Sequence, residues 1–154
     1  MLKPKKEGIG IFGGSFDPPH KGHTEISKIT LKKINLKKIY WIITKKNPFK
    51  SKPFFTIEER LKKSKKVLKK NINIEVLYLD DLIKSSRTIK VIKYFRKVKN
   101  QKNLYLIVGS DNLINFHKWK SWKKIVKLVK LVVFSRKGYV KKGKESLVVK
   151  YLNR

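Results

Sequence analysis

Two histidines three residues apart, His20 and His23, follow directly on the run Gly13-Gly14-Ser15-Phe16-Asp17-Pro18-Pro19. Imidazole N–H groups can donate to phosphate oxygens, and glycines let a backbone approach a bound anion closely. Two prolines stiffen the turn that carries them. The flanking residues decide how this block is held. Ile9-Gly10-Ile11-Phe12 reads as a short buried strand, and Ile26, Ile29, Thr30 and Ile34 then recur at helical spacing. The block is therefore a strand, a glycine-proline turn and a helix entered near Gly22-His23, with both rings able to point to one side of the first turn. Such a junction presents unpaired backbone N–H groups and the positive end of a helix dipole, which suits a phosphate. Paired histidines can also bind metal, but the chain has no cysteine and its only other histidine is His117, which leaves a zinc site short of ligands.

The rest of the chain alternates strand and helix. Lys38 to Thr44 reads as a strand followed by a basic loop, Lys45 to Pro53. Thr56-Ile57-Glu58-Glu59 opens a helix that runs to about Lys69, with a hydroxyl cap and early acids. Ile74 to Tyr78 is a strand, and Thr88 to Val98 a helix with Ile89, Ile92 and Phe95 on one face. Leu104 to Gly109 is almost wholly apolar, as a buried parallel strand should be. A tryptophan-bearing helix, Trp119 to Leu128, precedes a last strand, Leu131 to Ser135. The alternation predicts an α/β fold, an open, mostly parallel Rossmann-like sheet with helices on both faces and ligands at the carboxyl ends of its strands. Residues 1–154 read as a single domain, with cytoplasm as the expected compartment: the basic N-terminus does not read as a signal peptide and no apolar run is long enough to span a membrane.

A formal net charge of +31 raises the question of nucleic acid. Of 41 basic residues only Arg60, Arg87, Arg96, Arg136 and Arg154 are arginine, and alanine is absent. That composition suits the codon drift of an AT-rich genome, whereas surfaces that read nucleic acid favour arginine's bidentate fork. The lysines are scattered as pairs along the chain instead of gathering in one tract. The expectation is salt-sensitive, non-specific attraction of polyanions, without specific nucleic-acid binding and without a membrane partner.

The block from Gly13 to His23 resembles the signature of the nucleotidylyltransferase superfamily, a glycine-rich turn followed by His-x-Gly-His or Thr-x-Gly-His. Histidine at position 20 points to the branch that handles pyridine nucleotides, the bacterial nicotinate-nucleotide adenylyltransferases. Further motifs fall at the ends of later strands. Asn47-Pro48-Phe49-Lys50 is similar to that family's Asn-Pro-x-Lys loop, where a basic residue reaches the phosphates. Gly109-Ser110-Asp111-Asn112, followed by Trp119, resembles its Gly-x-Asp and tryptophan, where the aspartate binds ribose hydroxyls and the indole stacks on the nicotinate ring. Arg136-Lys137-Gly138 is similar to its Arg-Pro-Gly, and Ser86-Arg87-Thr88 to its Tyr-Thr element, with Arg87 standing where an aromatic is usual. Lys120 likewise replaces an aromatic directly after the tryptophan, and Trp122 is free to pack structurally.

The resemblance covers roughly residues 8 to 140. It implies adenylyl transfer from ATP to nicotinate mononucleotide, giving deamido-NAD and pyrophosphate in NAD biosynthesis, with Mg²⁺ accompanying ATP. The implied catalytic residues are His20, His23, Lys50 and Arg136. Gly13, Gly14, Ser15, Phe16, Gly109 and Asp111 join the histidines and Arg136 around ATP. Ser15, Lys50, Thr88, Asn112 and Trp119 are implied to hold nicotinate mononucleotide. The family's late Ile-Ser-x-Thr-x-x-Arg motif has no counterpart in these residues. Truncation, compensation by other basic groups and weakened activity all remain open on that ground. Phosphopantetheine adenylyltransferase, which shares Ser-Phe-Asp-Pro but normally has threonine at position 20, and a basic RNA-binding module are the alternative readings. The choice between nicotinate and nicotinamide mononucleotide, and the oligomeric state, are not set by these motifs.

Overall fold

The computed structural model describes residues 6–45, 51–71 and 73–154. Strands β1 (Ile9–Gly14), β2 (Lys38–Ile43), β3 (Ile74–Leu77), β4 (Leu104–Gly109) and β5 (Lys130–Phe134) form one parallel sheet in the order β3-β2-β1-β4-β5. The chain builds outward from β1 to one side and then returns to build on the other. This places the topological switch point, where open α/β sheets take their ligands, between β1 and β4.

Period-two alternation sends the strands' apolar side chains to both faces. Ile9, Ile11, Ile42, Leu104, Leu106 and Val108 belong to one buried cluster, which is covered by α4 (Thr88–Lys97), α6 (Trp122–Leu128) and α8 (Leu147–Leu152). Phe12, Ile39, Trp41, Ile43 and Ile107 belong to the other, which is covered by α1 (Lys21–Lys33) and α2 (Ile57–Leu68). The Thr-x-x-Glu spacing at α2 produces a reciprocal cap: the Glu59 N–H donates to Thr56 Oγ1 at 3.2 Å, and the Thr56 N–H to Glu59 Oε2 at 3.1 Å. Such a cap stabilises a helix by about 1 kcal/mol. Among the described residues no helix is long and apolar enough to cross a membrane.

Three features differ from the sequence expectation. Of the face expected for α1, Thr30 is buried and Ile26 packs on the core, but Ile29 is 55% exposed and Ser27 is buried in addition. Each hydroxyl donates to a carbonyl four residues back, Ser27 to His23 at 2.8 Å and Thr30 to Ile26 at 2.7 Å, so burial leaves neither donor unpaired. The helix expected from Trp119 begins at Trp122. Trp119 is extended and lies against Phe116, and Ser121 adopts a left-handed backbone with φ 57°. Short helices α3 (Asp80–Ile83), α5 (Ser110–Ile114), α7 (Val140–Lys144) and α8 were not expected. Of these, α7 lies tightly on α5, since a Cβ at Gly143 would come within 2.9 Å of the Ser110 carbonyl oxygen.

Candidate active site at the open end of the central strands

The two central strands separate at their carboxyl ends. β1 pairs with β2 as far as Gly14 and Ile43, but with β4 only as far as Phe12 and Ile107. β4 meanwhile pairs with β5 to Gly109 and Phe134. Space opens beside Gly13, where an added Cβ would meet no atom within 4 Å. Among the described residues, neither the Ser15 nor the Phe16 backbone N–H donates to a protein acceptor. The turn therefore presents two donors next to an opening.

His20 is the N-cap of α1 and forms a reciprocal cap with His23. The Gly22 N–H donates to His20 Nδ1 at 3.1 Å, and the His20 N–H donates to His23 Nδ1 at 3.1 Å. A ring nitrogen that accepts a hydrogen bond carries no proton, so in each neutral ring the proton sits on Nε2. The two rings lie 4.0 Å apart between centroids, tilted by 36°. A Cβ at Gly22 would fall 2.8 Å from the His20 ring and displace it, so glycine keeps the ring in this position. The His-x-Gly-His spacing thus builds a helix start whose two caps are also Nε2–H donors.

Aromatic packing fixes this corner. Phe16 is 3% exposed and lies 4.9 Å from Trp41 in a stacked arrangement and 4.7 Å from the His23 ring. Its backbone is left-handed, with φ 49°, an unfavourable region for a bulky side chain that the buried ring holds in place. The Trp41 indole N–H donates to Ser27 Oγ at 2.8 Å, and Ser27 in turn reaches the His23 carbonyl. Strand β2 is thereby tied to the first turn of α1.

On the other side of the opening, Asp111 and Arg136 meet. Arg136 Nη1 lies 3.1 Å from Asp111 Oδ2, and the Arg136 backbone N–H donates to Ser110 Oγ at 2.8 Å. Asp111 Oδ1 is buried and has no hydrogen-bond partner. With Ile26, Phe134, Ser135, Lys137 and Tyr139, the pair lines a cleft of about 490 Å³. Gly109 must lack a side chain, as a Cβ would strike the Asp111 carboxylate and approach the Phe134 ring to 3.0 Å.

Comparison with known proteins shows the family and the fold. A family model described as Cytidylyltransferase-like matches residues 11–152. The "Probable nicotinate-nucleotide adenylyltransferase" of Pelagibacter ubique (strain HTCC1062) is 46% identical over 153 residues, spanning 99% of this chain and 84% of that one. The chain belongs to the nicotinate-nucleotide adenylyltransferase family. A protein of the same printed name from Ruegeria sp. (strain TM1040) is 32% identical over 130 residues, covering 84% of this chain and 68% of its own. The fold matches the solved structure "Plasmodium falciparum nicotinic acid mononucleotide adenylyltransferase complexed with NaAD", with a TM-score of 0.74 at 18% identity, over 88% of this chain and 71% of that one.

Within this nicotinate-nucleotide adenylyltransferase fold, the residues singled out in the sequence are distributed as follows. Gly13, Gly14, Ser15, Phe16, His20 and His23 form the β1–α1 corner, while Gly109, Asp111 and Arg136 gather across the opening. Thr88 is the first residue of α4, and Trp119 follows the 3-10 turn Phe116–Lys118. Both elements pack on the same face of the sheet, through Ile89 and Phe116. Trp119 stacks on Phe116, with centroids 4.6 Å apart, and Asn112 sits in α5 beside Asp111. Trp122 packs edge-on against Tyr151 at 5.2 Å, a structural role. Asn47, Pro48, Phe49 and Lys50 lie outside the described residues.

Sequence reasoning overlooked the groups that hold the site from behind. Asp17 accepts the Phe54 and Phe55 N–H groups at 2.6 and 2.8 Å, tying the turn to the start of α2. Arg60 is buried beneath the same turn. The available signal for Arg60 was its type, since arginine is scarce in a chain so rich in lysine.

Proposed function

We infer that this chain transfers the adenylyl group of ATP to nicotinate mononucleotide, forming deamido-NAD and releasing pyrophosphate. The observation that carries the reading is the reciprocal histidine cap. His20 and His23 each accept a backbone N–H through Nδ1, and they stand at a helix start beside the opened sheet and the Asp111–Arg136 pair. That arrangement suits a phosphate chain laid across the switch point.

In the proposed reaction a phosphate oxygen of nicotinate mononucleotide attacks the α-phosphorus of ATP. A new P–O bond forms as the bond from the α-phosphorus to the α,β-bridging oxygen of ATP breaks, and its electron pair leaves on that oxygen, now a terminal oxygen of pyrophosphate. The attacking phosphate is already largely ionised near neutral pH, so the protein need not supply a base. Its work is to bring two polyanions together and stabilise charge on the leaving group. His20 and His23 donate to the phosphates, Ser15 and Phe16 offer backbone N–H groups, and Arg136 and Lys50 add positive charge. Asp111 accepts from the ribose hydroxyls, and Thr88, Asn112 and Trp119 receive the nicotinate half. Among the described residues no three metal-binding side chains converge. A divalent cation, Mg²⁺ in this reading, would accompany ATP and supply positive charge to its phosphates.

The deciding measurement is pyrophosphate release with ATP and each acceptor in turn. Nicotinate mononucleotide should support turnover far better than 4′-phosphopantetheine, and the same assay ranks nicotinamide mononucleotide. Equal or better rates with phosphopantetheine would reject the assignment.

A further inference from the structure

Arg60 is 2% exposed, yet among the described residues no carboxylate lies within ion-pair distance of it. Four of the five guanidinium N–H groups donate to backbone carbonyls. Nη1 donates to Ser15 at 2.9 Å and Thr44 at 2.8 Å, Nη2 to Lys45 at 3.1 Å, and Nε to Phe55 at 3.1 Å. A cation buried without a counter-ion is costly, and apolar filling is often the more stable choice at such a place. An alkyl side chain of similar size would fill the space, but it could not draw these carbonyls inward.

The direction of those carbonyls matters. A peptide unit is planar and trans, so turning the Ser15 C=O toward Arg60 turns the Phe16 N–H the opposite way. Among the described residues that N–H has no protein acceptor. Phe16 holds a left-handed backbone that needs external support. Arg60 restrains this peptide from one side, and the Trp41–Phe16–His23 ring contacts restrain it from the other.

The same guanidinium fixes both flanks of the basic loop. The Lys45 C=O is held by Arg60 and its N–H by Asp80 Oδ2 at 2.8 Å. The Phe55 C=O is held by Arg60 and its N–H by Asp17 Oδ1 at 2.8 Å. Arg60 is thus bonded to the glycine-rich turn, to the chain leaving β2 and to the residue before the α2 cap.

We propose that Arg60 is a positioning residue for adenylyl transfer: it sets the Ser15–Phe16 peptide so that its N–H faces the phosphates, and it holds that peptide in register with the chain leaving β2. This inference rests on the adenylyl-transfer reading above.

The test combines nuclear magnetic resonance of the amides with kinetics. In the wild-type protein the Ser15 and Phe16 amide signals should move on addition of Mg-ATP. Arg60→Lys keeps the charge but offers donors from one atom only, without the planar fork. It should remain folded, lose most of the ATP response of those two amides, and turn over about 30-fold more slowly or worse. In Arg60→Ala, added guanidinium should restore part of the rate, whereas the same concentration of sodium chloride should not. A lysine variant with wild-type turnover and wild-type amide response overturns the proposal. So does a folded alanine variant that guanidinium does not rescue. Should neither variant fold, the wild-type amides decide, and signals unmoved by Mg-ATP overturn it. If wild-type protein transfers no adenylyl group to any acceptor, the functional reading falls. The loss of the amide response in Arg60→Lys then still judges the placement of Arg60.

Discussion

Arg136 and Asp111 face one another at 3.1 Å from the ends of neighbouring strands, and the aspartate keeps its second oxygen buried without a partner. One carboxylate therefore orients the guanidinium through Oδ2 and leaves Oδ1 as an acceptor. Arg136 is 53% exposed on its side chain, so the pair contributes little to stability, about 1 kcal/mol or less. Asp111→Asn removes the ion pair and weakens the acceptor without changing size. It should raise the Michaelis constant for ATP about tenfold or more while stability changes by less than about 1 kcal/mol. A double-mutant cycle with Arg136→Gln should be non-additive, since both residues act on one nucleotide. Additive losses in steady-state kinetics would separate them.

The histidine cap joins two roles that substitution can divide. His20→Asn keeps an acceptor for the Gly22 N–H but removes the Nε2–H donor. Turnover should fall about 100-fold with the thermal midpoint nearly unchanged. Retained turnover would remove His20 from the chemistry, and His23→Ala carries the matching prediction for turnover.

Gly22→Ala gives an opposed pair of effects. Alanine suits a helix better than glycine by up to about 1 kcal/mol, but its Cβ falls 2.8 Å from the His20 ring and must displace it. Turnover should drop about tenfold or more without an equivalent loss of stability, as seen by comparing steady-state rates with thermal unfolding.

Trp119 has one ring face covered by Phe116 and is only partly buried, which leaves indole surface for a flat heterocycle. Trp119→Leu should raise the Michaelis constant for nicotinate mononucleotide about tenfold and leave that for ATP within about twofold. Equal changes for both substrates would show that the tryptophan only supports the fold.

The charge of the chain makes its own prediction. With 41 basic and 10 acidic residues, self-repulsion opposes the compact state. It is visible locally, where the Lys124 ammonium holds Lys93 below the ordinary lysine range. Raising salt from about 0.05 to 0.3 M shortens the screening length and should raise the thermal midpoint, while weakening non-specific binding to RNA. A midpoint that falls with added salt would mean that attractive pairs dominate.

What the sequence determined by itself is what short-range physics determines. The β1–turn–α1 block, the Thr56 cap of α2 and the alternation of apolar strands with helices depend on residues a few positions apart, and the structure shows each of them. The motif positions His20, His23, Asp111 and Arg136 were legible because short runs beyond the strand ends resemble a known family's motifs. Tertiary structure alone decided which of these groups meet. The Asp111–Arg136 pair spans 25 residues, Trp41 reaches Ser27 across 14, and Arg60 reaches Ser15 across 45. No periodicity in the chain specifies such contacts, because they follow from strand order and from where the central ladder ends. The inner face of α1 shows the same limit. Helical spacing put Ile29 on the inner face beside Thr30, yet Ile29 is exposed and Ser27 is inside because the His23 carbonyl accepts from its hydroxyl and the Trp41 indole donates to it, and that indole is a partner only once the helix lies on the sheet.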